Sequence, residues 1–301
     1  YKTVKPGFYF YAMDPLERYL LFGGWSINSI MDQDIFLLFE LNKYFFSYYS
    51  SLYWISRHLD RIDFMPSVSG EDYENIRFKS DDTYMLFSAD LGLRTNYKGH
   101  QIWLQYNYSK YRAHTIGYVR KYHSDILMES YPFDLSYDYF RGHKIGFIYK
   151  LENTVPAYAQ NMLPKNGFKL EFDSFYEDNS FDPAFEVSDE YGTLDLSFTK
   201  HNTERTNIIF TKYWSLHNIS FTNKIQYSIL SNSEVDDFFY FFGGGMTGIK
   251  GYTFYEENLS GSKLMILSNY IRYPLFFKNN SKILQFNIQN ISLGYAFQIG
   301  R

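Results

Sequence analysis

Apolar and polar residues alternate along most of this chain with a period of two, the spacing of a strand that buries one face. Across GFKLEFD (167–173), Phe168, Leu170 and Phe172 share one face while Lys169, Glu171 and Asp173 share the other. The design recurs at 194–199, where Leu194, Leu196 and Phe198 oppose Asp195, Ser197 and Thr199. It returns along 219–229, where Ile219, Phe221, Ile225, Tyr227 and Ile229 alternate with Ser220, Thr222, Lys224, Gln226 and Ser228. No helical stripe at i, i+3, i+4 spacing competes. Turn signals divide the pattern into thirteen predicted strands, near 7–13, 17–28, 33–42, 44–58, 82–96, 99–120, 142–153, 166–177, 191–201, 205–215, 218–231, 262–275 and 282–300. Some connections are tight and rich in turn formers, as at Asn42-Lys43, Tyr97-Lys98-Gly99 and His201-Asn202-Thr203-Glu204. Others are long, at 59–81, 121–141, 178–190 and 232–261.

Short turns at one end and long connections at the other are the asymmetry of an outer-membrane barrel. The rival is a soluble all-β sandwich or propeller, whose strands usually hold about five or six residues. Many of the runs here exceed ten residues. The expected fold is therefore all-β, a transmembrane antiparallel barrel formed by the whole chain, 1–301.

Composition strengthens that expectation. The chain carries 31 Tyr and 30 Phe among 301 residues, and aromatic girdles at both membrane interfaces raise those two counts. The cluster at 44–53 reads as such a girdle. No apolar run is long enough for a transmembrane helix, a test that barrel strands escape. A formal charge of −4 with scattered Lys and Arg argues against nucleic acid as a partner. The absence of cysteine excludes disulfides and thiol chemistry. The seven histidines lack zinc spacing, and the acidic run at 173–190 lacks the ligand order of a calcium loop. No nucleophile elbow accompanies the serines. The reading is of a non-enzymatic chain with no metal and no cofactor. Tyr1 stands where a Met or a charged-then-apolar leader would, so a signal or a larger N-terminal region is expected to precede it.

One stretch breaks the alternation. FFGGGMTGIKGY (241–252) sets five glycines beside Lys250 between two strand-like runs. A phosphate loop would need Ser or Thr after Lys and then a helix, whereas Gly251, Tyr252 and Thr253 follow. Read with Gly261 and with LSNYIRYPL (267–275), the stretch resembles the signature of the BamA-like outer-membrane assembly superfamily, the bacterial surface antigens. Those barrels carry a Gly-Gly run and Val-Arg-Gly-Tyr or Phe in a loop that folds into the lumen, then a strand reading Glu-x-Arg-aromatic-Pro-Leu. A further signature, aromatic-Asp-x-Gly, is similar to FQIG (297–300), and TVP (154–156) followed by LPKNGF (163–168) is similar to the strand opening of members linked to a periplasmic propeller.

The resemblance implies about sixteen strands in the full family barrel, of which about thirteen are visible here, the rest being supplied by a longer polypeptide or another chain. It implies an outer-membrane location in contact with lipid, and a role in translocation, insertion or surface delivery of a polypeptide or lipid substrate. The alternative is a structural barrel that anchors a periplasmic domain or partner proteins without passing substrate. The implied lumen loop comprises Gly243, Gly244, Gly245, Lys250, Gly251 and Tyr252, anchored on the wall by Tyr270, Arg272 and Gln298. Lys250 replaces the family arginine, Tyr270 the glutamate and Gln298 the aspartate, while Arg272 is kept. A lysine facing an amide replaces a bidentate arginine–carboxylate fork. On 292–300 the alternation places Gln298 inward, so Lys250 is expected inside the barrel within hydrogen-bond reach, directly or through one water, of Gln298 or a neighbouring luminal group.

Overall fold

The computed structural model describes residues 4–66, 75–123, 125–155, 164–182, 186–187, 194–195, 197–246, 248–283 and 286–301. Sixteen strands follow in chain order. They are β1 (Gly7–Met13), β2 (Tyr19–Ile27), β3 (Gln33–Leu41), β4 (Ser47–Pro66), β5 (Asn75–Tyr97), β6 (His100–His123), β7 (Ile126–Val155), β8 (Asn166–Phe181), β9 (Glu186–Val187) and β10 (Leu194–Asp195). Then come β11 (Thr199–Leu216), β12 (Ile219–Leu230), β13 (Phe241–Phe242), β14 (Ser260–Gly261), β15 (Lys263–Ile283) and β16 (Phe286–Gly300).

The chain is all-β, and its main element is one antiparallel sheet of twelve strands ordered β1-β2-β3-β4-β5-β6-β7-β8-β11-β12-β15-β16. The order begins at β1 and ends at β16, and no ladder joins those two strands among the described residues. Two-residue pairs β9–β10 and β13–β14 lie apart from it. No helix among the described residues is long and apolar enough to cross a membrane, which says nothing of strands.

The expected thirteen strands become twelve because 201–204 is not a turn. None of its residues is Gly or Pro or adopts a positive φ. Glu204 instead exchanges backbone hydrogen bonds with Ser231, accepting from its N–H at 2.9 Å and donating to its Oγ at 2.8 Å. The two runs predicted at its flanks therefore meet in β11, and Thr203 is buried there. Three expected long connections also shrink, because β4, β5, β7 and β8 extend into them. Polar residues continue these strands because ladder hydrogen bonds ask only for extended backbone. The turn at Lys98-Gly99 is as expected, with φ of 47° and 84°, the paired left-handed conformations of a tight hairpin.

The residues group into two compact units, one of Tyr1–Leu93, Tyr106–Lys144 and Asp178–His201, the other of Arg94–Gln105, Ile145–Glu177 and Asn202–Arg301. In each unit the alternation separates two faces. In the second, Phe172 packs on Phe147 and Phe168 on Phe210. Lys169, Glu171 and Asp173 point the other way, to Glu152 at 2.9 Å, Lys150 at 3.3 Å and Asn207 at 3.0 Å. The expected partition of 168–173 thus holds. The facing of Leu194, Asp195 and Leu196 lies outside the described side chains. On β11, β12, β15 and β16 the apolar face stays uncovered: Trp214, Ile225, Ile271, Leu293, Tyr295 and Phe297 are all exposed.

Candidate functional site

The second unit's polar face receives the glycine-rich loop. Register fixes which side chains look that way. Tyr270 pairs with Thr222 on β12 and Ala296 on β16, Arg272 with Ser220 and Gly294, and Ser268 with Lys224 and Gln298. Paired residues in an antiparallel ladder share a face, so Ser268, Tyr270, Arg272 and Gln298 stand together on the side opposite the exposed apolar residues.

The loop leaves β12 at Leu230 and re-enters at β15. Asp236 caps its first turn by accepting from the Phe238 N–H at 2.8 Å, and β13 and β14 zip its base through Phe241–Gly261 and Phe242–Ser260. Beyond the zipper the chain coils on itself. Leu259 O accepts from the Gly243 N–H and Gly243 O from the Ile249 N–H, both at 2.7 Å, and Tyr252 O accepts from the Gly245 N–H at 3.1 Å. Two kinds of glycine make the coil possible. Gly245 and Gly251 take positive φ of 81° and 97°. Gly244 and Gly248 instead allow contact between backbones, because a Cβ on either would fall 1.8 Å from Thr253 O or 2.1 Å from Gly243 O.

Three contacts seat this coil on the sheet. Ile249 is buried against Leu264 and Ile266, with Phe241 and Leu259 at its sides. Its Cδ1 occupies the space that a side chain on Gly300 would fill, 2.5 Å from a Cβ built there. Gln298 supplies the second contact. Its Oε1 accepts from the Lys250 backbone N–H at 3.0 Å, while its Nε2 reaches Gly248 O at 3.2 Å, Ser268 Oγ at 3.1 Å and Tyr270 Oη at 3.2 Å. An amide nitrogen has two hydrogens, so these three acceptors share two donors. Arg205 is the third. Its Nη2 donates to Phe239 O at 2.6 Å, its Nε to Glu177 Oε1 at 3.1 Å, and its guanidinium lies 4.6 Å from the Phe241 ring centroid.

Lys250 and Gln298 therefore meet, but through the lysine's main chain. The ammonium lies 5.9 Å from the Tyr270 ring centroid, and the Lys250 side chain is exposed. Gly243, Gly244, Gly245 and Gly251 build the coil, and Tyr252 contributes its carbonyl while its side chain is half exposed. Tyr270 supports Gln298. Arg272 stands apart: its side chain lies over Gly294 and makes no side-chain hydrogen bond or ion pair with another described residue. Sequence reasoning missed Arg205, Glu177, Ile249 and Gly300. The last two had a signal, an isolated apolar residue among glycines and a glycine closing an otherwise alternating strand. Among the described residues no group of His, Cys, Asp and Glu is placed to hold a metal ion.

No family model matches the chain, and no curated protein is significantly similar to it.

Proposed function

We propose that this chain is an outer-membrane β-barrel of the BamA-like type that assists the insertion, translocation or surface delivery of a polypeptide or lipid, with the glycine-rich coil resting on its inner wall. The observation that carries the reading is the opposition of the two sheet faces. One bears exposed aromatic and aliphatic side chains on strand after strand, and the other bears ion pairs, amides and the seated loop. A sheet with an apolar exposed face is satisfied in lipid, where its edges must also be paired or covered. The glycine run and the Gln298 contact occupy the positions at which the resemblance places a loop lock.

A second reading, the non-transporting anchor, is favoured by the chemistry of that contact. A neutral amide holding main-chain groups is a permanent-looking fixture, and the Lys250 charge takes no part in it. One reconstitution separates the two. Purified protein that enters vesicles and accelerates insertion of an unfolded outer-membrane protein supports the assembly role. Incorporation with unchanged insertion leaves the anchor, and a folded protein that needs no detergent and stays out of vesicles refutes both.

A further inference from the structure

On the first unit's apolar face a basic cluster stands beside a cleft. The alternation that puts Ile35 and Leu37 on β3, Leu52 and Trp54 on β4, and Phe87, Leu91 and Leu93 on β5 in the open continues along β6. There the even positions read Tyr106 and Tyr108, and then change to Lys110 and Arg112. Lys110 and Arg112 thus interrupt the exposed apolar run of β6, which returns at Ile116.

Both cations converge on Asp138 of β7, Lys110 Nζ on Oδ2 at 2.9 Å and Arg112 Nε on Oδ1 at 2.8 Å, and Arg141 Nη2 joins them on Oδ2 at 2.5 Å. The carboxylate is buried, 6% exposed, beneath cations that are 32%, 46% and 54% exposed. Three cations around one carboxylate leave a net charge of +2 facing outward. Asp134, four residues from Asp138 on β7, is matched by His114 at 2.8 Å. Arg112 spends its Nε on Asp138, so its terminal nitrogens remain for a ligand. Lys110 and Arg112 also line, with Trp54, Met85, Leu86 and Phe87, a cleft of about 220 Å³.

We infer that this cluster and cleft bind the phosphate-bearing headgroup of an anionic membrane lipid, with an acyl chain along Trp54 and Phe87. The inference rests on the membrane reading above. Guanidinium forks suit phosphate geometry, basic pockets at a membrane surface recognise anionic headgroups, and the apolar cleft gives the same molecule a second contact that a free anion lacks. Asp138 holds the cations in place and lowers their charge enough for the cluster to persist without lipid.

The test uses the full chain reconstituted into phosphatidylcholine vesicles with and without phosphatidylglycerol, followed by mild detergent extraction and mass measurement of retained lipid. Phosphatidylglycerol should be retained selectively, and Lys110→Gln with Arg112→Gln should weaken retention about fivefold per cation, roughly thirtyfold together. Asp138→Asn, which removes the neutralising charge, should strengthen it, whereas a cluster that merely braces β6 and β7 would lose lipid in both variants. Equal retention of the two lipids by a correctly incorporated protein overturns the site alone. Displacement by millimolar inorganic phosphate overturns the lipid as its ligand. A chain that enters neither vesicle overturns the membrane reading and the site with it.

Discussion

Gln298→Ala removes one side chain and strips the glycine coil of its polar tie to β16. The two bonds made to the loop, from the Lys250 N–H and to Gly248 O, contribute about 1 kcal/mol each, and a buried group left without a partner costs about 1–3 kcal/mol more. Lys250 is exposed, so water replaces the lost acceptor of its N–H; Gly248 is buried, and its carbonyl is the group at risk. The expected loss of docking is about 3–5 kcal/mol, which raises the open population of the loop roughly a hundredfold to several thousandfold. Lys250→Ala should do far less, because an exposed cation over an aromatic ring is worth about 0.5–1 kcal/mol. Hydrogen exchange in detergent reads both, through the Ile249 and Lys250 amides. Unchanged protection in Gln298→Ala, or equal deprotection in Lys250→Ala, would show that the tie is not the main-chain contact described here.

Gly244→Ala should open the coil without touching the sheet, since its Cβ would stand 1.8 Å from Thr253 O; trypsin cleavage after Lys250 should accelerate while the melting midpoint holds, and a wild-type cleavage rate would contradict the close approach. Arg205→Met should lower the melting midpoint, because it removes the guanidinium that lies 3.1 Å from the buried Glu177 carboxylate, and a second change, Glu177→Gln, should recover part of the loss in thermal unfolding; strictly additive losses would refute the coupling. In the turn between β2 and β3, burial pushes the Asp32 carboxyl up, but hydrogen bonds from the His58 ring and backbone N–H and from the Asn28 amide outweigh it and hold the group below the usual range. A depressed carboxylate contributes its stability above its unfolded value and loses it as the pH falls through the folded one, so the contribution should be present at neutral pH and fade below about pH 4. Asp32→Asn should flatten the melting curve in that window, and an unaltered pH slope would refute the assignment.

The alternation made the faces legible. Phe168 and Phe172 could be assigned to one side and Lys169, Glu171 and Asp173 to the other from spacing alone, because a half-buried strand has only two sides. Strand ends were less legible. Polar stretches such as 201–204 read as turns by composition, yet extended pairing needs no apolar residue, and only the Ser231 partner, 27 residues beyond Glu204, decides the matter. The site divided in the same way. The glycines announced a tightly wound segment, and the strand alternation aimed Gln298 at it. That the amide would hold the lysine's main chain could not be read, because side-chain types record nothing about which backbone groups a coil turns outward. Arg205 and Glu177, apart in sequence and ordinary in composition, carried no mark of their joint hold on Phe239 and Phe241.

Among the described residues β16 has a single neighbour in the strand order, and both residues that seat the coil from that strand, Gln298 and Gly300, lie in its last turn-distal stretch. The coil is also fastened to β15 through Leu264 and Ile266 and to β11 through Arg205, so it works as a splint across a hem that would otherwise hang by one row of stitches. Peeling β16 from β15 must first lift the splint, and lifting the splint lowers the work of peeling by the same free energy. Any molecule that prises the glycine coil from its seat therefore loosens the margin of the sheet without touching it, and any strand that comes to lie along that margin tightens the coil's grip in return.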